Sequence, residues 1–97
     1  MKIIKIKFEY NAFPVWIYDE NNKLIANDLP EYLIGNSEID PIFVNLQKDY
    51  NSLYSDTEKE FKYIGFKDET AENDFNKRVE LAKINLEQLL TTDYQLI

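Results

Sequence analysis

No cysteine and no histidine occur in these 97 residues. The first absence excludes a disulfide framework, a cysteine zinc site and a thiol nucleophile. The second removes the side chain most used for acid–base chemistry near neutral pH. Glycine is scarce too, at two residues, so neither a phosphate-cradling loop nor a nucleophile elbow can be assembled. No apolar run approaches the roughly 20 residues that span a bilayer. The opening MKIIKIKFEY alternates lysine with isoleucine or phenylalanine instead of forming the unbroken apolar stretch of a signal peptide. A soluble, cytoplasmic protein without membrane contact is the expectation.

What is abundant is apolar and acidic. Hydrophobic residues make up 44% and aromatics 14%, enough to build one core without a disulfide or metal staple. The length is that of one domain spanning 1–97. Net charge is −7 and unevenly placed. Residues 1–7 carry Lys2, Lys5 and Lys7 and no acid, whereas residues 19–74 carry fourteen Asp or Glu against five Lys. Such a surface repels nucleic acid and favours a basic protein partner, although acidity alone also serves solubility.

Periodicity supplies the plan. Ile4, Ile6, Phe8 and Tyr10 alternate with Ile3, Lys5, Lys7 and Glu9, which predicts a strand over 2–10. After Pro14, VWIYD reads as a second strand, apolar on both faces; ENNK is a turn and LIAN a short third strand. A calcium loop beginning at Asp19 is excluded, because its sixth position is Leu24 and its twelfth Pro30 where glycine and glutamate are needed. One helical turn is expected near Glu31–Ile34. Asp40 then reads as the cap of a helix with Pro41 at its first position, Ile39 and Val44 as a hydrophobic staple, and an apolar face of Phe43, Leu46, Tyr50 and Leu53 over 41–55.

FKYIGF predicts a strand, with Gly65 at a bulge or close backbone approach. A second helix, capped by Asp68 or Thr70, runs to about Leu90 on a stripe of Phe75, Val79, Ala82, Leu86 and Leu89, widened by Leu81, Ile84 and Leu90. DYQLI is a possible C-terminal edge strand. The order β-β-β-α-β-α predicts an α+β two-layer sandwich: a mainly antiparallel sheet of three to four strands with both helices on one face. Alternation then leaves aromatics on the opposite sheet face.

No local constellation of Asp, Glu, Lys or Tyr marks a catalytic centre, so a non-enzymatic protein without catalytic residues, cofactor or metal is expected. Asp56, Glu58 and Glu60 stand at alternate positions and, if extended, have the spacing for a magnesium ion; a solvated acidic loop is the preferred reading.

The absence of Cys and His, the central acidity, and the aromatic segments PVWIYD and EFKYIGF beside two amphipathic helices resemble the small acidic immunity proteins with which bacteria neutralise a co-encoded toxin. That resemblance implies a protein that occludes the basic active or substrate-binding surface of a toxin. Electrostatics then selects Asp19, Glu20, Asp56, Glu58 and Glu60 for steering and Trp16, Tyr18 and Tyr63 as anchors, provided the 19–22 turn and the 55–60 connection approach one another. The alternatives are a nucleic-acid mimic from a phage or mobile element, against which the interleaved Lys23, Lys48, Lys59, Lys62 and Lys67 speak, and a structural homo-oligomeric module.

Overall fold

A computed structural model describes residues 1–97. Alternating residues at the start form β1 (Lys2–Ile6), which pairs antiparallel with β2 (Val15–Tyr18); β2 pairs in turn with β3 (Leu24–Ala26). The turn between β2 and β3 is built by Asp19, whose Oδ1 accepts the backbone N–H groups of Asn21 and Lys23 at 2.9 Å each, while Asn22 takes the left-handed φ of 64° that asparagine tolerates. A 3-10 turn at Glu31–Leu33 leads to α1 (Asp40–Asn51); β4 (Tyr54–Asp56), β5 (Phe61–Tyr63), α2 (Glu69–Leu89) and β6 (Tyr94–Leu96) follow.

The fold is α+β. The order β-β-β-α-β-α holds, with an extra strand after α1 and the C-terminal strand present. The main sheet has the order β3-β2-β1-β6, antiparallel except for the parallel β1/β6 pair. Both helices cover one face: Phe43 and Leu46 of α1 and Phe75, Ala82 and Leu86 of α2 join Ile4, Val15 and Ile17 of the sheet in a single buried cluster. Each of these side chains larger than alanine contributes about 1.5–3 kcal/mol when fully removed from water. Leu29 and Leu33 close one end. No helix is long and apolar enough to cross a membrane.

Several boundaries depart from the periodicity. β1 ends at Ile6 instead of Tyr10, because the chain turns through Asn11 at φ 59°. Asp40 does not cap α1: the Asn36 side chain accepts the N–H groups of Glu38 and Ile39, and the Asn36 carbonyl accepts that of Asp40. A turn of bonded chain therefore precedes α1, and Asp40 reaches back instead to the Gly35 N–H (2.6 Å). The staple does not form, since Ile39 is in the core while Val44 is 50% exposed. α1 stops at Asn51, four residues early, because Tyr54–Asp56 leave the helix to pair with Phe61–Tyr63. That pairing also takes the FKYIGF segment out of the main sheet, where β6 fills the vacant edge. On α2, Asp68 is the cap, accepting from Ala71 N–H at 2.8 Å; Leu81 and Ile84 face outward and do not widen the buried stripe.

Candidate protein-interaction surface

β4 and β5 form a two-stranded ribbon of their own, registered Tyr54 opposite Tyr63 and Asp56 opposite Phe61. Its tip closes through Thr57 N–H to Glu60 O (2.8 Å), with the Thr57 hydroxyl accepting from Glu60 N–H. At the base, the Leu53 carbonyl accepts from both Ile64 (2.7 Å) and Gly65 (3.0 Å). Gly65 sits at φ 77°, and a Cβ there would lie 3.4 Å from the Tyr63 ring. A ribbon of this size is marginal alone; aromatic packing holds it to the body.

That packing is a continuous series from core to surface. Phe75 is buried and packs edge-on against Phe8 (5.2 Å between centroids); Phe8 meets Tyr50 (5.3 Å) and Tyr50 meets Tyr54 (5.6 Å). Tyr54 stacks parallel on Phe61 (5.3 Å, 1°) and receives Tyr63 edge-on (5.1 Å), while Tyr10 closes against both Tyr54 and Phe61. At the outer end Phe61 is 53% and Tyr63 58% exposed. Aromatic pairs contribute about 0.5–1.5 kcal/mol each beyond burial, so the exposed rings are tied to the buried ones through this series.

Polar groups tune and rim this stack. The Tyr50 and Tyr54 hydroxyls lie 3.0 Å apart; this hydrogen bond, then burial, pushes the Tyr50 hydroxyl up to about 12. Burial, followed by the Asp56 charge, raises Tyr10, whose hydroxyl lies 3.4 Å from Asp56 Oδ2. Glu60 reaches Lys62 (3.5 Å) on the exposed ribbon, and Glu58 has no ion-pair partner. Beside the ribbon runs a groove of about 630 Å³ with Leu53, Ile64, Phe66 and Phe75 on its apolar side. Arg78 also lines it, and its guanidinium donates to Asp49 at 2.6 Å.

The eight residues selected from the sequence fall into two groups. Asp56, Glu58, Glu60 and Tyr63 are together on the ribbon. Trp16 and Tyr18 lie on the helix-free face of the sheet, with Lys7 over the Trp16 ring (4.6 Å) and Lys5 over Tyr18 (4.9 Å). Asp19 is occupied by its own turn, and Glu20 accepts from the Met1 amine at 2.8 Å. The register puts Tyr18 beside Ile3 at the start of β1, whereas the ribbon meets Tyr10 beyond its end. The 19–22 turn and the 55–60 connection are thus at opposite ends of the sheet. Tyr10, Tyr54 and Phe61 were not selected; the spacing of Tyr54 with Phe61 and Tyr63 around SDTEKE was the available sign of a hairpin.

Comparison with family models, curated proteins and solved structures finds no match to this chain.

Proposed function

We propose that this is a non-enzymatic protein-binding module, an acidic inhibitor of the immunity type that neutralises a basic toxin by occluding its active or substrate-binding surface. The observation that carries the reading is the ribbon: Phe61 and Tyr63 are more than half exposed on a stack rooted in the core, beside Asp56, Glu58 and Glu60. Large, rigid aromatics surrounded by a charged rim are the composition of an interface centre. The net charge of −7 supplies long-range attraction to a cationic partner. In this reading Phe61 and Tyr63 anchor the complex, the three acids speed encounter, and the adjoining groove takes an apolar side chain of the partner.

The test is affinity capture of tagged protein from its native cells, in parallel with F61A/Y63A and with D56N/E58Q/E60Q. The expected result is one basic protein retained by the unaltered chain, released by high salt and absent from the F61A/Y63A capture. The acid-substituted chain should retain it with a slower association rate and a weaker salt dependence. Retention of no basic protein, or retention indifferent to Phe61 and Tyr63, overturns the proposal.

A further inference from the structure

The helix-free face of the sheet differs in charge from the rest of the molecule. Ile3 stands opposite Tyr18 and Lys5 opposite Trp16. Lys7, just beyond β1, returns to the same side, with its Nζ 4.6 Å from the Trp16 centroid and 5.8 Å from that of Tyr18. The Trp16 ring is itself fixed, because Nε1 donates to the Lys7 carbonyl at 3.0 Å. Lys5 lies 4.9 Å from the Tyr18 centroid. Two ammonium groups are thereby held over rings by cation–π attraction, and neither forms an ion pair within the chain. The Tyr18 hydroxyl, and to a lesser degree Glu9, holds Lys7 above the ordinary lysine range.

We infer that this face is a second binding surface, separate from the ribbon, whose occupant is an extended acidic segment of a protein partner with carboxylates at alternate residues. The fit is one of charge and period. Lys5 and Lys7 are two residues apart, a backbone repeat of about 6.6 Å in an extended chain, and their ammonium groups stand close together, 4.9 and 5.8 Å from the same Tyr18 centroid. Alternate side chains of an extended peptide share that repeat, so consecutive carboxylates on its inward side meet both ammoniums, while Ile3 adds an apolar contact beside the lysine-covered rings.

Charge also limits the occupant. Glu9 bounds the cationic stretch at one end and Asp19 and Glu20 at the other, so a longer polyanion such as a nucleic acid strand would run from two lysines into carboxylates. Its bases would find the ring faces already covered by ammonium groups. A second copy of the chain laid face to face would set lysine against lysine.

The experiment titrates the full chain with a synthetic peptide of alternating Glu and Val, followed by amide NMR and by the fluorescence of Trp16, the single tryptophan. Saturable shifts are expected over residues 3–7 and 15–18 and not over 54–63. K7Q, with an otherwise unchanged amide spectrum, should bind about tenfold more weakly. A peptide of the same composition with its glutamates adjacent should bind less well than the alternating one. Absence of shifts on this face, or K7Q binding as tightly as the unaltered chain, overturns the inference. So does tighter binding of a single-stranded oligonucleotide, which would assign the face to nucleic acid. Shifts that depend on protein concentration without peptide would assign it to a second copy.

Discussion

The hydrogen bond with the Tyr54 hydroxyl and then partial burial favour the neutral Tyr50 hydroxyl, so the native state holds the Tyr50 proton more tightly than the unfolded chain does. A raised value of this kind stabilises the fold fully below the unfolded value of 10.0, and the contribution is lost as pH rises through about 12. The urea midpoint should therefore fall across that window. Y50F, which lacks the ionising group, should start about 1 kcal/mol less stable near neutrality and decline less steeply in alkali. An equally steep decline in Y50F would assign the alkaline loss to other groups. A second residue-scale test separates backbone strain from packing. Gly35 and Gly65 share φ 77°, but only at Gly65 would a Cβ meet a neighbour, the Tyr63 ring at 3.4 Å. G35A should cost about 1–2 kcal/mol for the left-handed backbone alone. G65A should cost about the same in the same urea assay, because 3.4 Å from the Tyr63 ring is ordinary van der Waals contact; a larger loss with displaced Tyr63 ring resonances would assign a packing role to this glycine.

At the scale of the element, the two helices show what local signals can and cannot convey. The α2 start was legible to within Asp68 or Thr70, of which Asp68 is the cap, because the cap, the first-turn acids and the stripe from Phe75 to Leu89 are all close in sequence. The α1 cap was not, because Asp40 followed by Pro41 has the form of a cap, yet Asn36 begins the turn one repeat earlier and leaves Asp40 to the Gly35 amide. N36A should accordingly destabilise the protein by about 1 kcal/mol in urea unfolding, with faster amide exchange at Glu38 and Ile39. If exchange at those amides is unchanged, the capping role assigned to Asn36 is wrong. The ribbon eluded periodicity for a related reason. Tyr54, four residues after Tyr50, continues the apolar spacing of α1, and what draws it out is pairing with Phe61–Tyr63 together with contact with Tyr10, more than forty positions away in the chain. Tyr63 and the three acids could be selected as exposed polar and aromatic residues. Their union with Phe61, Tyr54 and Tyr10, and their separation from Trp16 and Tyr18, depend on sheet register and on which strands pair.

For the whole molecule, the most distant pairing in the chain closes the sheet. β1 lies between β2 and β6, and its parallel join to β6 links the two ends of the sequence: Lys2 N–H donates to Asp93 O and Ile97 N–H to Ile4 O. Tyr94 and Leu96 pack against the common core from this strand, and Tyr94 lies within 6.0 Å of Tyr32 on the 3-10 turn. The Tyr32 hydroxyl in turn accepts from Thr91 N–H at 2.9 Å, tying down the end of α2. Removal of residues 93–97 would therefore do two things at once. It would strip partly buried Tyr94 and Leu96 from the core, a loss of about 3 kcal/mol if each contributes a typical share of its full burial. It would also replace the three-residue edge strand β6 by the longer five-residue β1, whose open backbone beside Ile4 is a better template for pairing with another chain. The shortened protein should show a lower urea midpoint and, in sedimentation at increasing concentration, more self-association than the full chain. L96A keeps the backbone pairing and removes only a side chain, so it should reproduce part of the stability loss without the association. Association of L96A to the same extent would mean that exposed apolar surface, and not the unpaired strand edge, drives self-association.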